Sequence, residues 1–137
     1  MRTPKARLLF LLLAAWVTPA RAQKASIVGS WHGTSTCVDK VKFPACNDEE
    51  VIYDVTAVAT DTVRLRADKV VNGKREFMNE SQFVRAADGS WVAELETPRY
   101  HLRLTLEVDG DVMKGRLMML PDQVLGRRMS LRRVGSG

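Results

Sequence analysis

The side chains that could do chemistry in this sequence are few and widely spaced. There are two histidines, His32 and His101, and two cysteines, Cys37 and Cys46. A zinc site needs several histidine, thiolate or carboxylate ligands around one point. His101 falls on the polar side of an alternating pattern, and the sequence offers no third histidine. We therefore expect neither a metal site nor a bound cofactor.

Two carboxylates, Glu94 and Glu96, share one face of a predicted strand and are candidates for acid–base catalysis. A pair of carboxylates can divide the roles of general acid and general base, as in glycoside hydrolysis. The same spacing is also typical of a solvated polar face. Because the sequence has no Gly-x-Ser-x-Gly and no phosphate-binding glycine loop, we expect a protein without catalytic activity.

The two cysteines are expected to bond to each other. Cys37 and Cys46 flank a segment that contains Phe43-Pro44-Ala45 and can turn back on itself. Paired cysteines in an exported protein usually form a disulfide, and the spacing is not the Cys-x-x-Cys of redox proteins. Closing a loop of about ten residues stabilises a fold by about 2.7 kcal/mol in the chain-entropy model. We expect a disulfide that fixes the loop between the first two strands.

Residues 1–22 have the composition of a secretory signal peptide. Basic residues precede an apolar run from Leu8 to Val17, and Ala20-Arg21-Ala22 offers a cleavage site. The run has about ten residues, half of what a bilayer-spanning helix needs. An uncleaved anchor is the alternative. We expect a secreted or periplasmic protein with no stable membrane insertion after cleavage.

Removal of this leader leaves a single domain, predicted over residues 23–134 and followed by a flexible tail at 135–137. The whole chain has a formal charge of +5, but four of its 21 basic residues lie in the leader. The remainder has 17 basic and 16 acidic residues. A nearly neutral domain gives no electrostatic reason to expect a nucleic-acid partner.

The rest of the sequence alternates between apolar and polar residues with a period of two, which indicates β-strands. Asn72-Gly73 is the strongest hairpin signal. The predicted strands cover residues 29–37, 50–59, 62–71, 75–85, 90–96, 100–108, 112–120 and 127–134. About eight antiparallel strands in up-and-down order would close most economically into an all-β barrel, which removes free edges. A half-barrel or a two-sheet sandwich is the alternative.

Gly29-Ser30-Trp31 in the first predicted strand resembles the Gly-x-Trp signature of lipocalins and the wider calycin group. Leu131-Arg132-Arg133 lies where those families have an arginine that packs across the tryptophan. A guanidinium over an indole gains cation–π energy of about 0.5–2 kcal/mol. The expected mature chain is most similar to secreted bacterial lipocalin-like domains. The resemblance implies a barrel closed at one end by Trp31 and an arginine, for which we choose Arg132 over Arg133.

The resemblance also implies that the barrel binds a small apolar ligand or a protein partner. Aromatic and methionine side chains adapt well to hydrophobic guests. The candidate ligand-binding residues are Trp31, Tyr53, Phe77, Phe83, Trp91, Met113 and Met119. Alternatively, the same side chains fill the narrow interior of an eight-stranded barrel. A second hypothesis is a protein-interaction or enzyme-inhibitor barrel that acts through the disulfide-pinned 37–46 loop.

Overall fold

The computed structural model describes residues 26–136, so the predicted signal peptide lies outside the described residues. This range contains eight strands, connected in sequence by turns and loops, and no helix. They are β1 (Gly29–Cys37), β2 (Glu49–Ala59), β3 (Thr62–Val71), β4 (Lys74–Arg85), β5 (Trp91–Glu96), β6 (His101–Asp109), β7 (Val112–Met119) and β8 (Val124–Ser136). No helix within 26–136 is long and apolar enough to cross a membrane.

The eight strands form one closed antiparallel barrel in up-and-down order. Each strand pairs with the next in sequence, and β8 returns to pair with β1. The predicted all-β barrel is therefore confirmed, and the half-barrel and sandwich alternatives are wrong. Closure satisfies the backbone groups that an open sheet would leave at its edges.

Local sequence explains the tightest features of this barrel. Asn72 and Gly73 both have positive φ, 51° and 74°, as a type I′ hairpin requires. Gly33 has a different role, because a Cβ at this position would lie 2.0 Å from the Ser130 carbonyl oxygen on β8. Glycine there allows β1 and β8 to approach closely at the seam of the barrel.

The strands alternate as the sequence predicts, with one face inside the barrel. The buried core includes Trp31, Val51, Tyr53, Val55, Val63, Leu65, Phe83, Trp91, Leu106, Met113, Met129 and Leu131. We call the end covered by residues 26–28 the closed end. The opposite end, which carries the β1–β2, β3–β4, β5–β6 and β7–β8 connections, is the open end.

The last strand is longer than predicted. β8 begins at Val124 and ends at Ser136, and Gly135 and Ser136 pair with Ser30 and Gly29 of β1. These two residues therefore belong to the barrel rather than to the predicted tail at 135–137. Backbone pairing with β1 explains the difference, because glycine and serine carry no apolar pattern that would signal a strand.

An ion network crosses the outer face of β2, β3 and β4. Asp68 is 1% exposed and accepts hydrogen bonds from Arg66 Nε (3.0 Å) and Arg75 Nε (2.8 Å). Burial alone would raise the pKa of Asp68, but the hydrogen bonds from the two arginines outweigh it and hold the pKa below its usual value. Arg75 also pairs with Asp54, so the network links three neighbouring strands.

Candidate functional site

Trp31 and Arg133 seal the closed end of the barrel. The Trp31 side chain is fully buried, and its Nε1 donates to the Ile27 carbonyl at 2.9 Å. The Arg133 guanidinium carbon lies 4.3 Å from the indole centroid, and Arg133 Nη1 donates to the Val28 carbonyl at 2.8 Å. Together the two side chains hold the 26–28 segment across the barrel end.

The arginine that packs on Trp31 is therefore Arg133, and the choice of Arg132 was wrong. Arg133 shares its side of β8 with the buried residues Met129 and Leu131, whereas Arg132 is exposed on the outer face. A β-bulge between Ser30 and Trp31 then brings Arg133 directly opposite the tryptophan.

The open half of the barrel contains an interior cavity of about 170 Å³. Its apolar wall comes from β3, β4, β6, β7 and β8, and polar groups surround the side toward the open end. The lining residues are Ser35, Glu49, Tyr53, Leu65, Ala67, Met78, Asn79, Ser81, Phe83, Leu104, Leu106, Leu117, Arg127 and Met129. An apolar cavity of about 150 Å³ is large enough for benzene, so this one has room for a single ring.

A charged pair marks the polar side of the cavity. Arg127 Nη1 lies 3.5 Å from Glu49 Oε2 and donates to the Ser35 hydroxyl at 3.2 Å. Arg127 Nη2 donates to the Asn47 carbonyl at 3.0 Å. Among the described residues that line the cavity, Glu49 and Arg127 are the charged ones, so the formal charges at this site cancel.

The Tyr53 hydroxyl is one of two hydroxyls of cavity-lining residues that have no hydrogen-bond partner within the described range, and the other is that of Ser81. Tyr53 is 6% exposed, and within residues 26–136 its hydroxyl has no hydrogen-bond partner. Burial raises the pKa of Tyr53 to about 12, with Arg127 lowering it and Glu49 raising it by smaller amounts. Tyr53 is therefore a neutral hydrogen-bond donor at physiological pH.

This shift predicts a late tyrosine titration. Because the pKa is raised from 10.0 to about 12, the stability linked to neutral Tyr53 is complete below pH 10 and lost as the pH rises toward 12. We expect the absorbance at 295 nm to show a component that titrates near pH 12 and disappears in Tyr53→Phe. Loss of a component that titrates near pH 10 in this variant would contradict the burial of the hydroxyl.

The barrel wall beside the cavity is incompletely paired. β4 and β5 pair at two positions, Val84 with Val92 and Arg85 with Trp91, although β4 runs from Lys74 to Arg85. The cavity is lined on this side by residues of β4 and β6 but none of β5. The Ser81 hydroxyl, in the same stretch of β4, is buried without a hydrogen-bond partner among the described residues. The stretch where β4 and β5 are not paired therefore lies next to the cavity.

A groove of about 480 Å³ lies at the open end, beneath the β1–β2 loop. The loop is closed by the predicted Cys37–Cys46 disulfide, which is confirmed. The groove is lined by Lys42, Phe43, Pro44, Ala45, Cys46, Tyr100, Leu102, Leu117, Met119, Gly126 and Arg127. Leu117 and Arg127 also line the interior cavity, so the two spaces share a wall. Val41 at the loop tip is 95% exposed.

The seven predicted ligand-binding residues lie in four locations: the interior cavity, the groove, the packed core and, for Phe77, the outer surface. Tyr53 and Phe83 line the interior cavity, and Met119 lines the groove at the open end. Trp31, Trp91 and Met113 are buried in the core but do not line the cavity, as the packed-interior alternative predicts. The seven side chains therefore do not form one site.

Phe77 lies outside the barrel, so its prediction as an interior residue was wrong. It is 59% exposed and lies under Arg66, with 5.2 Å between the guanidinium carbon and the ring centroid. Ala67 pairs with Asn79, but the next residue, Asp68, pairs with Phe77. The β-bulge at Met78 therefore turns Phe77 from the inner face to the outer one.

The two charged residues of the cavity, Glu49 and Arg127, were not among the predicted site residues. Alternation contained the signal: Glu49 has the same parity as Val51 and Tyr53, and Arg127 has that of Met129. Neither was predicted to point inward, because charged residues are rarely buried. Their mutual pairing explains how the inward position is tolerated.

Both carboxylates considered for catalysis, Glu94 and Glu96, are exposed, and Glu94 takes part in an ion network. Glu94 accepts hydrogen bonds from Arg103 Nε (2.9 Å) and Nη2 (2.7 Å) and contacts His101 Nε2 at 3.3 Å. The hydrogen bonds from Arg103 and then His101 hold the pKa of Glu94 below its usual value. Glu94 is thus an exposed ion-pair partner, which does not favour the role of general acid.

No protein-family model and no curated protein matches this sequence. Several solved structures resemble it in fold, among them the following three. A redesigned β-barrel has a TM-score of 0.57 at 13% identity, over 77% of this chain and 90% of its own. A second redesigned barrel, solved with DFHBI bound, has a TM-score of 0.54 at 10% identity, over 77% and 97%.

The third is the siderocalin Ex-FABP, whose structural report describes dual ligand specificities. Its TM-score is 0.51 at 13% identity, over 77% of this chain and 72% of its own. Likeness at this level of identity shows the fold alone. The chain therefore has a lipocalin-like fold, a small closed β-barrel of eight antiparallel up-and-down strands.

Proposed function

We propose that this protein is an exported, non-catalytic binding module that holds a small hydrophobic ligand in the open half of its barrel. The observation that carries the proposal is the interior cavity of about 170 Å³, with an apolar wall and polar groups on one side. Binding sites for small molecules combine these features: a concave apolar surface supplies affinity, and a few polar groups fix orientation.

The asymmetry of the barrel supports this proposal. Trp31 and Arg133 fix a packed closed end, which allows the open half to remain partly empty without loss of the fold. Two of the similar structures are reported with small ligands: one redesigned barrel binds DFHBI, and the siderocalin has dual ligand specificities. The Cys37–Cys46 disulfide supports function in an oxidising compartment outside the cytoplasm.

Native mass spectrometry of the protein purified gently from its own host tests this function. We expect a population with the mass of the processed chain plus a small molecule, and the added mass should disappear after mild denaturation. A spectrum that contains only the bare chain, from protein shown to be folded by circular dichroism, would contradict the proposal.

The second candidate function is docking to a partner protein through the β1–β2 loop. It is favoured by the exposure of Val38 (45%) and Val41 (95%) on a loop constrained by a disulfide, because a constrained loop loses less conformational entropy on binding. The same mass spectra separate the two functions. A complex with a second protein that is lost in Val41→Ser would support docking, and its absence would contradict it.

A further inference from the structure

We propose that the interior cavity selects uncharged ligands the size of a single ring that carry one hydrogen-bonding group, such as a phenol hydroxyl, directed at Tyr53. This inference rests on the proposed function and defines its ligand class. Three properties of the cavity lead to it: its volume, the pairing of its charges and the unpaired hydroxyl of Tyr53.

Volume limits the size of the ligand. The cavity of about 170 Å³ is close to the volume of about 150 Å³ that accommodates benzene, and well below the range of about 300–1,000 Å³ for drug-sized ligands. Trp31 and Met113 near the closed end are fully buried and do not line the cavity, so the cavity does not extend to them. A ring with one or two small substituents fits, whereas a long acyl chain does not.

Charge pairing disfavours ions. Arg127 is neutralised by Glu49 at 3.5 Å, and each of its terminal nitrogens already donates a hydrogen bond, Nη1 to Ser35 and Nη2 to Asn47. A carboxylate that approached Arg127 would face the Glu49 carboxylate, and an ammonium that approached Glu49 would face the guanidinium. An ion would therefore lose hydration without gaining a free counter-charge.

Tyr53 supplies the polar contact. Tyr53 lines the cavity, and its hydroxyl makes no hydrogen bond with residues 26–136. The Ser81 hydroxyl, on another lining residue, also has no partner in this range, but it is buried. Across the barrel from β2, strand β6 lines the cavity with the apolar side chains of Leu104 and Leu106. A ligand with its ring against these side chains and its own hydroxyl toward Tyr53 would pair with the Tyr53 hydroxyl.

Isothermal titration calorimetry on the full domain tests this inference with dodecanoate, which has a long acyl chain, and with three matched probes: toluene, p-cresol and 4-methylbenzoate. They share a methylated ring and differ in having no polar group, a hydroxyl or a negative charge. We expect p-cresol to bind about three- to tenfold more tightly than toluene, because it gains one hydrogen bond. We expect 4-methylbenzoate to bind about a hundredfold more weakly than p-cresol, because its charge remains unpaired.

Tyr53→Phe provides the matched variant. It keeps the ring and removes the hydroxyl, so toluene should bind as before and the preference for p-cresol should disappear. An unchanged preference in Tyr53→Phe, or tighter binding of 4-methylbenzoate or dodecanoate than of p-cresol, would overturn the ligand class while leaving the binding function intact. Failure of all four compounds to bind folded protein would contradict both.

Discussion

Trp31→Ala is expected to lower the free energy of unfolding by about 3–5 kcal/mol, as for other large aromatic residues removed from a core. Trp31 is fully buried, and its indole supports both the Ile27 carbonyl and the Arg133 guanidinium. Its removal leaves a cavity and releases the segment that covers the closed end. Domains of this size are stable by about 5–15 kcal/mol, so the loss is a large share of the total and is measurable by urea denaturation.

The two neighbouring arginines provide the control for this assignment. Arg133→Ala should cost about 1–3 kcal/mol, because it removes the cation–π contact and the hydrogen bond to the Val28 carbonyl. Arg132→Ala should change the free energy of unfolding by less than about 0.5 kcal/mol, as is usual for an exposed side chain. A larger loss in Arg132→Ala than in Arg133→Ala would contradict the closure described above.

Ala67→Phe is expected to reduce the affinity for p-cresol by at least about a hundredfold, because the new ring occupies the space that a ligand ring needs. Ala67 lines the cavity and pairs with Tyr53 across β2 and β3, so a phenyl group there would lie beside the Tyr53 hydroxyl. Calorimetric titration of the variant with p-cresol measures the effect.

Ala57→Phe is the matched control, since Ala57 is exposed and is not among the residues that line the cavity. It should bind p-cresol like the unchanged protein. Circular dichroism establishes that both variants are folded, and Ala67→Leu offers a smaller filling should Ala67→Phe fail to fold. Equal affinities in folded Ala67→Phe and Ala57→Phe would place the ligand elsewhere.

Strand alternation predicted most of this fold because one face of each strand is buried. In β6 the alternation of apolar and charged residues matches the burial directly, since Leu106 is buried while Glu107 is exposed. The Asn72-Gly73 turn and the Cys37–Cys46 disulfide followed from local chemistry in the same way. Closure into a barrel was predicted from the number and order of strands, because only closure removes the edges.

The site was harder to predict because it depends on where alternation fails. The bulge at Met78 moves Phe77 to the outer face. No residue type in the sequence indicates a bulge at this position. The division of the interior into a packed end and an open end depends on how side-chain volumes add across eight strands, which no single strand reveals. The inward direction of Arg127 and Glu49 was predictable from strand alternation. Their pairing was not, because it depends on the approach of β8 and β2 at the open end.

The central claim is that the open half of the barrel binds a small ring inside its cavity. Intermolecular nuclear Overhauser effects between p-cresol and the methyl groups of the protein test it most directly. We predict contacts from the ligand ring to Leu65, Leu104, Leu117 and Met129, which line the cavity. Contacts confined to Val38 and Val41 on the β1–β2 loop, or none to any of these methyl groups, would contradict it.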